Sequence, residues 1–290
     1  MTFIWIAAAV AIFGLLALGH MVRASYRYRL DVQEAAFERL PQAFDGTALL
    51  FISDVHRRVI PNRLIDAFAQ AGGADLVLIG GDLREKKVPD ARIRENLRRL
   101  SRIAPMYMVH GNHDYDEDIR PFEVLLEEER VRLLANESVV LEQKDGSRIR
   151  LAGVDDPRTD HERPDLALAD MEDGRGQLFT ILLSHDPIIA KRLKGDEYID
   201  LVLSGHTHGG QVALPVIGPL WRGEGDSGYW RGWFDFDRPA RGVPKMRLFV
   251  SCGFGTSRLP IRLLTEPQLH RITLRSSGAH PDQDRSKRGR

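Results

Sequence analysis

The chain reads as an α/β protein in which two β-sheets pack face to face with helices outside, preceded by one membrane-spanning helix. Three observations predict this. Short apolar runs at 48–52, 76–79, 106–109, 179–183 and 201–203 have the length and the flanking turn residues of buried strands. Strands followed by helical spacing occur twice along the chain, and such an order forms a layered core with helices on the outer faces. Residues 3–22 are almost wholly apolar and carry no formal charge, close to the ~20 residues a helix needs to cross a bilayer.

The apolar segment comes first and is expected to be a transmembrane anchor. Arg23, Arg27 and Arg29 follow it closely and nothing basic precedes it beyond the amino terminus, so the positive-inside bias puts the rest of the chain on the cytoplasmic face of the inner membrane. A cleaved signal peptide competes, because Ala17-Leu18-Gly19 offers small residues at cleavage spacing; the missing basic n-region and the downstream arginines oppose it. Residues 23–43 form a juxtamembrane connector that contributes an edge strand before Pro41, and 44–275 form one domain. Residues 276–290 lose periodicity and gain Gly, Pro and charge, which predicts a disordered tail.

Within the domain, 62–71 carries Leu64, Ile65, Phe68 and Ala69 at helical spacing, and 90–103 repeats this with Ile93, Leu97 and Leu100. Arg94, Arg98, Arg99 and Arg102 are the solvated remainder of that second helix. A third helix is expected over 121–129 and a fourth over 188–193. Short strands are expected at 131–134, 138–142 and 148–152, the last two joined by the Lys144-Asp145-Gly146 turn. Residues 211–244 are irregular and hold Trp221, Tyr229, Trp230, Trp233 and Phe234, which must be buried against the core or presented to lipid. Both readings stay open.

Composition bounds the function. At 43% hydrophobic and 28% charged residues a sizeable core is available. With 41 basic and 41 acidic side chains, the formal charge of zero gives no reason to expect a nucleic-acid partner. The single Cys252 excludes an internal disulfide and reads as a small buried residue rather than a nucleophile.

Each of the five strand-like runs is followed by a block of potential ligands: Asp54-Val55-His56, Gly81-Asp82, Gly111-Asn112-His113-Asp114, Ser184-His185-Asp186 and Gly205-His206-Thr207-His208. Open α/β sheets gather ligand sites at the C-terminal ends of strands. Carboxylates, imidazoles and one amide, with no thiolate, suit manganese, iron or zinc better than calcium. Seven metal-competent side chains are too many for one open tetrahedral site and too few for two closed ones, whereas two ions sharing a carboxylate fit. Two dications against Asp54, Asp82 and one hydroxide leave a net charge of about +1, attractive to a phosphate ester. The chemistry implied is metal-assisted hydrolysis at phosphorus. His110, His161, His20, His270 and His280 fall outside the pattern and read as ordinary polar or core residues.

The ordered set D-x-H, GD, GNHD, H and GHTH resembles the calcineurin-like metallophosphoesterase superfamily. Gly153-Val154-Asp155-Asp156, the GHTHGGQ run at 205–211, GFGTSRLPIR at 253–262 and Glu266-Pro267 resemble its membrane-associated branch. That branch includes YaeI- and YkuE-like phosphodiesterases and the chlamydial-type UDP-2,3-diacylglucosamine pyrophosphatases. The resemblance spans most of 44–274 and implies a four-layer sandwich of two mixed sheets flanked by helices. It implies two divalent ions, most often manganese, with Asp54, His56, Asp82 and His208 around the first and Asp82, Asn112, His185 and His206 around the second. Asp82 would bridge. His113 would stabilise or protonate the leaving oxygen, with Asp114 as its orienting partner; Glu85, three residues after Asp82, receives no role. The leading expectation is a membrane-anchored phosphoesterase acting on a phosphodiester or pyrophosphate, with UDP-2,3-diacylglucosamine as the most specific candidate. A broad phosphodiesterase or phosphatase without lipid preference is the alternative, and a metal-free scaffold of the same fold is a more distant one.

Overall fold

Chain order and hydrogen bonding build two six-stranded sheets in the computed structural model, which describes residues 2–169, 178–220, 227–238 and 245–277. The first half runs α1 (Thr2–Ser25), β1 (Arg29–Phe37), β2 (Ala48–Ile52), α2 (Asn62–Gln70), β3 (Leu76–Ile79), α3 (Asp90–Leu100), β4 (Met106–Met108), α4 (Ile119–Glu128) and β5 (Val131–Leu133). It continues through β6 (Glu137–Glu142), β7 (Arg148–Gly153), α5 (Pro164–Ala167), β8 (Phe179–Leu183), α6 (Ile189–Arg192) and β9 (Leu201–Ser204). The last part holds a two-residue hairpin pair, β10 (Ala213–Leu214) and β11 (Gly218–Pro219), then β12 (Gly232–Phe236), β13 (Met246–Val250) and β14 (Gln268–Ser276).

One sheet has the order β1-β14-β2-β3-β4-β5 and the other β12-β13-β9-β8-β7-β6. In each, a parallel centre carries an antiparallel neighbour, so both are mixed: β2 to β5 are parallel while β14 runs against β2, and β7, β8, β9 and β13 are parallel between antiparallel β6 and β12. The period of two along β2 shows how the layers form. Leu49 and Phe51 point into the core between the sheets with Leu183, Leu203 and Phe249, whereas Leu50 and Ile52 face α2, α3 and α4 on the other side. A third cluster packs Ala167 of α5 and Ile189 of α6 on the outer face of the second sheet. The four-layer sandwich follows directly.

Boundaries shift where local chemistry decides them. The predicted helix over 90–103 ends at Leu100, because Ser101 closes the last turn onto Leu97 and Pro105 lies just beyond. The helix expected at 121–129 starts at Ile119, where the Asp118 side chain accepts the Arg120 N–H as an N-cap and Pro121 falls in the first turn, where no intrahelical donor is lost. The helix expected over 188–193 is the single turn of α6.

Residues 23–43 prove to be part of the architecture. β1 pairs with β14 over its full length at the sheet edge, and Ala35, Phe37 and Leu40 are buried in the inter-sheet core. The exit of α1 is held as firmly: Met21 O accepts from Arg262 N at 3.0 Å, Ser25 Oγ donates to Pro260 O at 2.9 Å, and Arg58 donates to the carbonyls of Tyr26, Arg27 and Phe254 at 3.0, 3.2 and 2.8 Å. Of the aromatics between 211 and 244, Trp233 packs on Phe249 with its indole N–H on Gln33, and Tyr229, Phe234 and Phe236 pack on one another against the third core cluster. Partial burial against the core therefore accounts for these four aromatics. Trp221 lies outside the described residues.

Arg39, just after β1, reaches from the first sheet to the second and donates through Nη1 to both oxygens of Asp200 at 2.9 and 2.8 Å. Asp200 is buried beside β9 and also accepts the Thr180 N–H at 2.9 Å. Removing one partner of a buried pair leaves an uncompensated charge. Arg39→Ala should therefore destabilise the domain by about 3–5 kcal/mol in urea unfolding followed by tryptophan fluorescence; a change within about 0.5 kcal/mol, ordinary for a surface substitution, would refute this.

Candidate metal centre

Every ligand block lies where the sequence pattern expects it, on the loop after a strand: Asp54 and His56 after β2, Asp82 after β3, Asn112 after β4, His185 after β8, and His206 and His208 after β9. Both sheets contribute, so the cluster sits across the top of the inter-sheet core. The backbone there is unusual. Asp54, His56, Asp82, His206 and His208 have φ of 54°, 51°, 52°, 67° and 51°, a left-handed region that non-glycine residues rarely occupy and that concentrates at functional sites. Glycines make the room: a Cβ on Gly81 would stand 2.7 Å from His185 Nδ1, and one on Gly253 would stand 2.7 Å from Asp54 Cβ.

Two overlapping groups of donor atoms result, Asp54 with His56 and His208, and Asp54 with Asp82 and His185, all buried. His56 Nε2 is 3.1 Å from His208 Nε2 and 3.8 Å from Asp82 Oδ2. His208 Nε2 is 3.5 Å from Asp54 Oδ1, and His185 Nε2 is 3.2 Å from Asp82 Oδ2 and 4.0 Å from Asp54 Oδ1. His206 Nδ1 approaches His185 Nε2 at 3.3 Å. Asn112 Oδ1, on the loop after β4, is buried without a hydrogen-bond partner. Six of the seven predicted positions are thus brought together by these distances, and their donor set fits divalent cations.

Electrostatics agree with a cation-binding site. Burial alone would raise the Asp82 carboxyl, but His185 and His56 outweigh it and hold it well below the ordinary carboxylate range. Burial lowers His206 to about 4 and, with His56 and Arg262 beside it, lowers His208 as well, so both rings are uncharged. Burial opposes charging of His185 too, yet Asp82 and Asp54 raise it well above the usual value. An imidazole electron pair drawn to a proton by two carboxylates is equally available to a metal ion.

Groups that sequence reasoning left without a role stand beside the outer nitrogens. His185 Nδ1 donates to Gly80 O at 2.8 Å, His206 Nε2 faces Asp186 at 3.5 Å, and His56 Nδ1 lies 3.3 Å from Glu85 Oε2, which also pairs with Arg57. Such partners fix ring orientation and tautomer at metal sites. The spacing of Glu85 after Asp82 and the adjacency of Asp186 to His185 were the only traces of this in the sequence. His208 Nδ1 lies 3.1 Å from Nη2 of the fully buried Arg262, which also donates to the carbonyls of His208 and Gly255.

His113 is placed beside the cluster. Its backbone N–H donates to Asp82 Oδ1 at 2.8 Å, its ring stands edge-on to His56 at 5.2 Å, and its side chain keeps 28% exposure, enough to reach solvent. The expected orienting role of Asp114 is corrected. His113 Nδ1 pairs with Asp116 at 2.9 Å, one turn along the same 3-10 segment, while Asp114 is fully buried and accepts the N–H groups of Gly111, Asp82 and Arg84 at 2.8, 2.9 and 3.1 Å. It fastens the two ligand loops to each other. Burial and the nearby Asp82 raise its carboxyl to about 6. Of the histidines set aside, His110 pairs with Asp155 at 3.1 Å, His270 bridges Ser251 and Asp31 at 2.8 and 3.0 Å, and His280, with the rest of the expected tail beyond 277, lies outside the described residues.

A two-sheet sandwich carrying buried carboxylates, an amide and imidazoles on the strand ends defines a metal-dependent phosphoesterase, and comparison with known proteins agrees. Residues 47–210 match the calcineurin-like phosphoesterase family, and the chain belongs to that family. Members of it use a dinuclear divalent metal centre. The chain is 36% identical to the uncharacterized protein YpbG of Bacillus subtilis over 78% of this chain and 80% of that one. It is 28% identical to the uncharacterized metallophosphoesterase YkuE of the same organism over 82% of each chain. A transmembrane protein with metallophosphoesterase domain from Danio rerio is 28% identical over 93% of this chain and 62% of its own length. Among solved structures, the NAD nucleotidase of Haemophilus influenzae shares the fold, with a TM-score of 0.54 and 15% identity over 72% of this chain and 46% of that protein. α1 is apolar, solvent-facing and long enough to cross a membrane, and the Danio rerio relative is named a transmembrane protein.

Glu85→Ala frees the His56 ring without touching a proposed ligand. It should weaken manganese binding about 10–100-fold in calorimetric titration of the metal-stripped protein, and unchanged affinity would show that Glu85 serves only Arg57.

Proposed function

We propose that the chain is a membrane-anchored, two-metal hydrolase acting on a phosphodiester or pyrophosphate bond of a lipid-linked substrate at the cytoplasmic face of the inner membrane. The observation that carries the lipid part is the clamp on the anchor. Arg58, two residues after His56, holds the carbonyls of Tyr26 and Arg27 just after α1, which supports a site at the bilayer surface when α1 spans the membrane. A nucleotide-linked acyl sugar such as UDP-2,3-diacylglucosamine meets such a site without leaving its leaflet, and hydrolysis at its pyrophosphate would release UMP and a lipid monophosphate.

In this reading Asp54, His56, Asp82 and His208 would hold one ion and Asp82, Asn112, His185 and His206 the other, with manganese the ion the family resemblance implies and iron or zinc the alternatives. The pair supplies Lewis-acid polarisation of the phosphoryl oxygens and an activated water. Asp82, ionised and bonded to His113 N, places the catalytic imidazole relative to the cluster. Asp116 occupies Nδ1 of His113, which leaves Nε2 as the atom that delivers a proton to the departing oxygen.

His113→Ala should keep the metal content and lose about 10²–10⁴-fold in rate, with alkoxide leaving groups suffering more than p-nitrophenolate. Loss of metal instead would make His113 a ligand.

Full-length protein in vesicles with manganese should cleave an acylated UDP-sugar faster than a soluble phosphodiester, and chelation should abolish both reactions. Equal rates would favour a broad phosphoesterase and leave the metal chemistry intact.

A further inference from the structure

The exposed apolar side chains outside α1 are unevenly spread. Val216, Ile217 and Leu220 on the β10–β11 hairpin, and Leu259 and Leu264 on the loop beside it, are all more than half exposed, and Val216 is fully so. Val216 sits at φ 68° and Leu264 at φ 57°. A β-branched residue in the left-handed region, at the tip of a fully exposed turn, is poorly used in water on both counts. The two loops form one body: Ala213 N donates to Leu263 O and Leu263 N to Gln211 O, each at 3.0 Å. That body is bonded to the anchor, through Arg262 N on Met21 O and Ser25 Oγ on Pro260 O. Leu264 and Arg231 also line a cavity of about 580 Å³ together with His20 and Ala24 of the last turns of α1.

We propose that the hairpin tip and the adjoining loop are seated in the same leaflet that the end of α1 crosses, as a second, shallow membrane contact beside the metal centre. The occupant of this face is the acyl and glycerol region of the bilayer, identified by continuity with the anchor. Main-chain chemistry suits it. Pro215 and Pro219 have no N–H, Ile217 N donates to Pro215 O at 2.7 Å and Leu220 N to Val212 O at 2.9 Å, which limits the donors a nonaqueous setting would leave unpaired. Arg231, stacked on Trp230 with its guanidinium 4.5 Å from the ring centroid, lies at the polar margin where an arginine and an indole meet headgroups. Elements of this kind bury their apolar face ~5–10 Å below the headgroup boundary.

The inference rests on α1 spanning the membrane, and a depth measurement separates the two. Full-length protein with Cys252→Ser and a single cysteine replacing Ile217, Leu264, Phe13 or Val140 is labelled with an environment-sensitive fluorophore and reconstituted in phosphatidylcholine–phosphatidylglycerol vesicles. Hydrolysis of a soluble diester reports the fold of each variant, and Leu220→Cys and Leu259→Cys on the same face replace any that fails. Labels at 217 and 264 should be quenched by shallow doxyl-lipid and shielded from iodide, as at 13, whereas the label at 140, on the far edge strand β6, should show the reverse. Iodide quenching at 217 and 264 equal to that at 140, with 13 still lipid-quenched, would overturn the proposal alone. Iodide quenching at 13 would overturn it together with the anchor.

Discussion

The centre of the molecule is governed by buried charge. Asp54 and Asp82 are buried under a cap of imidazoles, and His185 and His56 hold Asp82 ionised against the cost of its burial, so the site presents negative charge that a divalent cation can pair with. The imidazoles can serve that cation only if their inner nitrogens are free of protons. Gly80 O, Asp186 and Glu85 meet the outer nitrogens of three rings, and burial holds His206 and His208 neutral. Close packing of so many donor atoms is unattainable with ordinary extended loops. Five of the seven candidate ligands adopt the left-handed backbone, and Gly81 and Gly253 stand where any side chain would collide with His185 or Asp54.

Arg262 extends this constraint to α1. Its guanidinium lies among the carbonyls of His208, Gly253, Gly255 and Thr265, and its backbone N–H is bonded to Met21 at the end of α1. Burial lowers its pKa to about 10, which still leaves it charged at neutral pH. One residue therefore contacts both a candidate ligand and the anchor, and Arg58 makes a second such link between the His56 loop and the carbonyls of Tyr26 and Arg27.

Much of this was legible in the sequence, and the limits are physical. The buried strands β2, β3 and β8 have the predicted bounds, because runs of four or five apolar and β-branched residues between turn formers admit few alternatives. The placement of the seven candidate positions on loops after strands was legible as well, since strand-to-loop context repeats for each block. Roles carried by geometry across the fold were not. Asp114 and Asp116 are both acidic neighbours of His113, and only the turn of the 3-10 segment decides that Asp116 meets the ring while Asp114 turns inward to three backbone N–H groups. Trp233 and Tyr229 suggested lipid contact by composition alone, yet pairing of β12 with β13 lays Trp233 on Phe249 and leaves smaller aliphatics such as Val216 and Ile217 at the surface. A count of aromatic residues carries no information about which face a strand presents.

The rigid join between α1 and the domain changes what the anchor does physically. A flexible tether raises only the local concentration of an enzyme near its membrane and lets the site point anywhere. Here the chain passes from the helix to β1 in three residues, all within reach of Arg58 or the edge pairing with β14, so the orientation of the sheets follows the orientation of the helix. The loops at the strand ends that carry the candidate ligands therefore keep a fixed position relative to α1. Any rotation of the sheets against that helix would have to break the bonds of Met21, Ser25, Tyr26 and Arg27 to the loops that also position His56 and His208.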